Sequence, residues 1–149
     1  MALSDDIRLL SQVPLFRELD GDQLRLIAFG AERRAIASGQ ELFRERSPAE
    51  CAFIVARGSF TLSSTERGGQ PETVVGPGTM LSELALVTMV ERKFTAISTE
   101  DAEVLRITRS LFHRLLEEYP AVGRIVEMRI RDNITGLAKA AAAMQHRFS

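Results

Sequence analysis

Seven short runs rich in β-branched and aromatic residues follow one another between residues 31 and 108, each cut off by turn chemistry. Arg33 to Ala37 meets Ser38-Gly39, and Glu41 to Glu45 meets Ser47-Pro48. Ala52 to Ala56 ends at Arg57-Gly58, and Ser59 to Thr65 reaches Arg67-Gly68-Gly69, a good hairpin signal. Glu72 to Val75 ends at Gly76-Pro77-Gly78, Thr95 to Thr99 meets Glu100-Asp101, and Glu103 to Thr108 closes the set. Many short strands with Gly-containing turns specify a sandwich or jelly roll.

The flanks change period. Residues 4–30 read as helical, with Ser4 as N-cap and Asp5 and Asp6 in the first turn, where carboxylates complement the positive dipole end. Val13-Pro14-Leu15-Phe16 breaks that helix. Asp20 caps a second one, with Gln23 as its capping-box partner and Leu24, Ile27 and Ala28 as the apolar stripe, and Gly30 stops it. Residues 109–149 are helical again. Thr108 or Ser110 caps a helix carrying Leu111, Phe112, Leu115 and Leu116, and Pro120 opens a second, weakened locally by Gly123 and Gly136. The expectation is therefore one α+β domain over 1–149: N-terminal helices (1–30), an antiparallel β-roll of about eight short strands (31–108) and two C-terminal helices (109–149).

Composition excludes several classes. Hydrophobic residues make up 45% and charged residues 26%, as in an ordinary globular protein. No apolar run approaches the ~20 residues that span a bilayer, and the acidic N-terminus lacks the basic region of a signal peptide. A cytoplasmic location away from membranes is expected. The one cysteine, Cys51, rules out an internal disulfide and a multi-cysteine zinc site, and its apolar surroundings predict a buried thiol rather than a redox centre. A net charge of −1 argues against a nucleic-acid binder, and Arg124, Arg129, Arg131, Lys139 and Arg147 read as a solvated helix face. His113 and His146 both fall on C-terminal helices. No Ser/His/Asp order, phosphate-binding loop or dinucleotide fingerprint appears, so catalysis is not expected.

One stretch carries chemistry. Gly76-Pro77-Gly78-Thr79-Met80-Leu81-Ser82-Glu83-Leu84-Ala85-Leu86 leads a turn into a short apolar segment with one acid, and Glu91-Arg92-Lys93-Phe94-Thr95-Ala96 returns an arginine at the head of a strand. An ionised carboxylate only accepts hydrogen bonds and suits a hydroxyl pair. A guanidinium presents a planar fork of donors that suits phosphate oxygens. The stretch resembles the phosphate-binding cassette of cyclic-nucleotide-binding domains of the catabolite-activator type. Val13-Pro14-Leu15-Phe16, Gly39-Gln40-Glu41-Leu42-Phe43, Phe53-Ile54-Val55-Ala56-Arg57-Gly58 and Leu111-Phe112 are similar to motifs of that family in the same order, over roughly residues 9–135.

The resemblance implies a ligand, cAMP or cGMP, and no other cofactor or metal. Glu83 would accept from the ribose 2′-hydroxyl and Arg92 would pair with the cyclic phosphate. Ser82, Leu84, Ala85, Lys93, Phe94 and Thr95 would complete the binding site. The chain departs from the family at Ser82, where Gly is usual and positive φ is costly for Ser. It departs again at Lys93 and Phe94, where small residues are usual, and at Glu45-Arg46-Ser47, where many members have Gly-Asp. Lys93 either adds a second phosphate charge or points to solvent. Phe94 either turns away or occupies ligand space, and in the latter case Arg92 would pair with Glu83 and leave the domain empty.

Two outputs follow. The first is a regulatory sensor without a helix-turn-helix, signalling through its C-terminal helix, with a separate effector protein as a possible partner. The second is a ligand-free β-roll acting as a dimerisation or protein-interaction module. Ile130, Ile134, Leu137, Ala141, Met144 and Phe148 recur at spacings of 4, 3, 4, 3 and 4, a seam suited to a homodimer or to packing on the same chain's roll.

Overall fold

The computed structural model describes residues 3–65 and 72–132. It has an α+β architecture in which an antiparallel β-roll is flanked by helices from both ends of the chain. Helices α1 (Leu3–Ser11) and α2 (Gly21–Gly30) precede the strands, joined through a 3-10 turn at Pro14–Phe16. The strands are β1 (Glu32–Ile36), β2 (Glu41–Phe43), β3 (Pro48–Ala49), β4 (Cys51–Arg57), β5 (Phe60–Ser63), β6 (Thr73–Val75), β7 (Met80–Leu81), β8 (Val90–Glu91), β9 (Thr95–Ser98) and β10 (Ala102–Thr108). Helix α3 (Arg109–Glu118) and helix α4 (120–132) follow. Two four-stranded sheets, in the orders β1-β10-β4-β7 and β2-β9-β5-β6, are supplemented by the pair β3-β8.

Local chemistry accounts for most boundaries. Asp20 accepts from the Gln23 N–H at 3.0 Å while Gln23 accepts from the Asp20 N–H at 2.8 Å, a complete capping box. Thr108, not Ser110, caps α3 by accepting from the Leu111 N–H at 3.1 Å. Ser4, expected as the N-cap, lies inside α1, which spans Leu3–Ser11. Pro120 opens α4, where its missing N–H costs no intrahelical bond. Gly123 allows close approach: a Cβ there would lie 3.0 Å from Leu116 Cα, so α4 packs tightly on α3 because that residue has no side chain. Gly58, at φ +81°, ends β4 against Asp101 and Ala102, where a Cβ would sit 2.8 Å from the Asp101 carbonyl oxygen.

The core has two parts on either side of one sheet. Along β4, Ala52 and Ile54 face a cluster built with the helices, including Leu10, Phe16, Ile27, Phe112 and Leu115. Cys51, Phe53 and Val55 face the inside of the roll with Phe60, Ala96 and Val104. Burial on both faces explains why Cys51–Val55 is an unbroken apolar run rather than an alternating one. Ile130, the first residue of the expected dimer seam, is fully buried in the helix-side cluster of its own chain. Ile134, Leu137, Ala141, Met144 and Phe148 lie outside the described residues. Helix α4 is further tied to the N-terminal region by an ion pair between Arg129 and Glu18.

Two residues other than glycine take left-handed backbone, Arg46 at φ 71° and Ser82 at φ 64°. Ser82 stands where the resemblance places glycine, and Arg46 lies in the turn where many members have Gly-Asp. The Glu45 carboxylate beside Arg46 ties this turn to the end of β5, accepting from the Thr65 N–H and hydroxyl at 3.0 Å each and from the Ser64 hydroxyl at 3.0 Å. The Thr65 N–H is the largest influence lowering the Glu45 pKa below the usual carboxylate value; partial desolvation opposes it, and the two hydroxyls and the Arg46 charge add to the lowering.

Two outcomes follow from these turns. Left-handed backbone costs a residue with a Cβ about 1–2 kcal/mol, so Ser82→Gly should raise the melting temperature by roughly 2–8 °C in calorimetry, and Ser82→Val should lower it. A carboxyl with a depressed folded-state pKa contributes stability above its unfolded pKa and loses it as pH falls through the folded one. The stability gap between wild type and Glu45→Gln should therefore be present at neutral pH and close below about pH 4, as followed by denaturant titration at several pH values.

Candidate functional site

The segment between β7 and β9 forms the candidate site. Met80–Leu81 pairs with β4, so the chain leaves the sheet edge at a fixed point. The left-handed turn at Ser82 then opens a 3-10 turn over Glu83–Leu86, with the Ala85 N–H bonded to the Ser82 carbonyl at 3.0 Å. Leu86 is fully buried in the helix-side cluster and anchors this turn by its apolar side chain, worth about 1.5–3 kcal/mol. The chain returns through β8, paired to β3, and enters β9.

Met80, Ser82, Glu83, Leu84, Val90, Glu91, Lys93 and Phe94 line one groove with a volume of about 180 Å³. The structure thus brings together five of the residues expected at the site: Ser82, Glu83, Leu84, Lys93 and Phe94. Phe94 forms a wall of the groove and remains 39% exposed, so it neither retreats into the core nor seals the opening. Ala85 is wholly buried behind the groove. Thr95 is engaged elsewhere, its hydroxyl accepting from the Glu45 N–H at 3.0 Å.

Arg92 has a different environment. It is only 6% exposed. Its Nη1 donates to the Cys51 carbonyl at 2.8 Å and its Nη2 contacts Cys51 Sγ at 3.4 Å. The guanidinium carbon lies 4.7 Å from the Phe43 ring centre and 5.4 Å from that of Phe53. Each such contact is worth about 0.5–2 kcal/mol, more when desolvated. The backbone is fixed as well: the Arg92 N–H donates to Ser47 at 2.8 Å and its carbonyl accepts from Arg46 at 2.7 Å. The guanidinium therefore does not pair with Glu83, and among the described residues it meets no carboxylate. It borders a second hollow of about 300 Å³, lined by Glu45, Arg46, Val90, Glu91, Arg92 and Lys93. Val90, Glu91 and Lys93 are common to both hollows and form the wall between them. Cys51 is 4% exposed, a buried thiol whose immediate neighbour is this cation.

One residue at the site escapes a reading of the sequence. Arg109, the first residue of α3, donates from Nε to the Ala85 carbonyl at 2.8 Å and from Nη2 to the Ala49 and Thr88 carbonyls at 3.0 and 2.9 Å. All three acceptors are backbone groups, so no pattern of side chains announces them. Among the described residues no group of three or more His, Cys, Asp or Glu is arranged to hold a metal ion, and no helix is long and apolar enough to cross a membrane.

Comparison with known proteins agrees with this geometry. The chain is 31% identical over 111 residues to the cyclic AMP receptor protein of Thermus thermophilus, covering 73% of this chain and 51% of that protein, so the chain spans about half the length of this relative. A cyclic nucleotide-binding-like protein of Brucella abortus superposes with a TM-score of 0.67 at 45% identity, over 76% of this chain and 98% of that one. The regulatory domain of the Toxoplasma gondii cAMP-dependent kinase, solved with cAMP, superposes with a TM-score of 0.69 at 29% identity, over 76% of this chain and 44% of that one. Residues 33–119, which include the groove, Arg92 and Arg109, match the family model described as the cyclic nucleotide-binding domain, and the chain belongs to that family.

Proposed function

We propose that the chain is a non-catalytic sensor whose ligand is a cyclic nucleotide of the cAMP type, bound at the junction of the two hollows. The observation that carries this reading is the Arg92 guanidinium, nearly buried and, among the described residues, without a carboxylate. A cation withdrawn from water costs several kcal/mol unless an opposite charge compensates it. The ring faces and the Cys51 carbonyl offset part of that cost, and a singly charged cyclic phosphate would supply the rest. Cys51 engages two of the five guanidinium N–H donors, which leaves the remainder for phosphate oxygens.

Glu83 is suited to the opposite end of the same ligand. Its carboxylate lines the groove, accepts only, and matches the ribose 2′-hydroxyl. Lys93, on the wall between the hollows, adds a second positive charge on the phosphate side. The groove, at about 180 Å³, is smaller than the ~300–1,000 Å³ of pockets that enclose a whole small molecule. It fits the sugar and phosphate and leaves the base at the rim beside Phe94, whose exposed ring face offers stacking. Binding shifts the protein between conformations only by its differential affinity for them. The output we assign to it is the position of α3 and α4, read by a separate effector protein or by a second copy of the chain.

Isothermal titration of the whole chain with cAMP and with cGMP tests the proposal. A saturable heat is expected with at least one of them. Glu83→Gln, which keeps the side chain's size, should weaken binding roughly 10–100-fold, the equivalent of a charged hydrogen bond. Arg92→Lys keeps a cation but loses the fork and should weaken it comparably. No heat with either nucleotide at millimolar concentration, in a sample shown to be folded, overturns the assignment.

A further inference from the structure

The structure assigns Arg109 a role that the nucleotide chemistry alone does not require: we propose that it is the positioning residue that makes the cassette and α3 move as one unit. Its guanidinium holds the carbonyls of Ala85, at the end of the 3-10 turn, and of Thr88, in the loop that follows, while reaching Ala49 of β3 with the same Nη2. Its own N–H donates to the Glu50 carbonyl at 3.1 Å. One residue at the start of a helix thereby gathers the cassette, the loop after it and the strand that pairs with β8.

Three physical points make this more than a local hydrogen-bond cluster. First, no ion pair among the described residues involves Arg109, so its charge is held by carbonyl dipoles alone. Ala85 and Thr88 lie at the C-terminal side of the helical turn, the end that favours a cation. Second, the guanidinium is a rigid planar fork. Sliding the loop relative to α3 would break the contacts to Ala85 and Thr88 together and leave donor and acceptors unpaired, which costs more than the contacts gain when made. Third, the apolar link between cassette and helices is Leu86, packed in the cluster of Leu111, Phe112 and Leu115, with Leu84 and Val87 against the same cluster. That contact is apolar and therefore non-directional. Leu86 keeps the cassette on the helices, and Arg109 fixes where on them it sits. A displacement at Glu83, on the groove side of the turn, is then passed through Ala85 and Thr88 to the first residue of α3. The ligand-driven half of this inference rests on the reading of the groove as a cyclic-nucleotide site; the clamp itself does not.

Amide hydrogen exchange followed by mass spectrometry on the full chain separates the two halves. Without nucleotide, Arg109→Gln should speed exchange over residues 83–88 about tenfold relative to wild type while leaving β5 and β9 unchanged, the signature of a local rather than global opening. Arg109→Lys, able to reach one carbonyl at a time, should fall between them and retain the wild-type far-ultraviolet circular dichroism. Unchanged exchange over 83–88 in Arg109→Gln, or a uniform increase over the whole chain, overturns the clamp. With cAMP, wild type should gain protection in both 83–88 and α3, whereas Arg109→Lys should gain it in 83–88 with a severalfold smaller gain in α3. Equal protection of α3 in wild type and both variants overturns the coupling. If cAMP protects no segment of the wild type, the nucleotide assignment fails, and the exchange rates measured without nucleotide still decide the clamp.

Discussion

A nearly buried guanidinium that meets no carboxylate among the described residues is the interaction on which the candidate site depends. Arg92 sits over the rings of Phe43 and Phe53 with the Cys51 carbonyl at 2.8 Å. Those partners come from two strands of different sheets: Phe43 ends β2, while Cys51 and Phe53 belong to β4. The cation therefore bridges the two sheets. The departures at neighbouring positions fall into place around it. Phe94 borders the groove and Lys93 the wall, and neither displaces the arginine from its aromatic seat.

The strands β4 and β10 join this site to the helices. Both are buried on two faces, one contributing to the roll's interior and the other to the helix layer. The 3-10 turn repeats that duality within four residues, with Glu83 on the groove and Leu86 in the helix-side core. Hydrophobic burial supplies most of the attachment, and the directional bonds of Arg109 define its geometry. The segment between β7 and β8 is thus bonded directly into the helix that follows the roll.

How much of this was legible in the sequence depended on the range of the interactions involved. Asp20 with Gln23, Thr108, Pro120 and the longer strands act within a few residues of themselves, and local pattern placed them to within a residue or two. The two-residue strands β3, β7 and β8 went unforeseen because alternation needs more residues than they have. Gly123 reads in sequence as a weak point of α4. In space it is where Leu116 approaches, a contact visible only once α3 and α4 are side by side. At the site, the groove residues were accessible through the motif. The seat of Arg92 and the bonds of Arg109 were not, since they depend on carbonyls and ring faces brought in by distant segments. Ile130 shows the same limit: its spacing fits an intermolecular seam as well as an internal one, and only its complete burial in the chain's own core places that one residue inside.

Cys51 carries a consequence of its own. It is the single cysteine of the sequence, and its sulfur lies 3.4 Å beneath the Arg92 fork. The protein therefore carries one chemical handle, buried in the roll's interior directly against the guanidinium that borders the second hollow. A thiol reagent applied to the unaltered chain meets that sulfur alone, so the rate at which it is labelled becomes a clock for how often the packing around the arginine's seat opens.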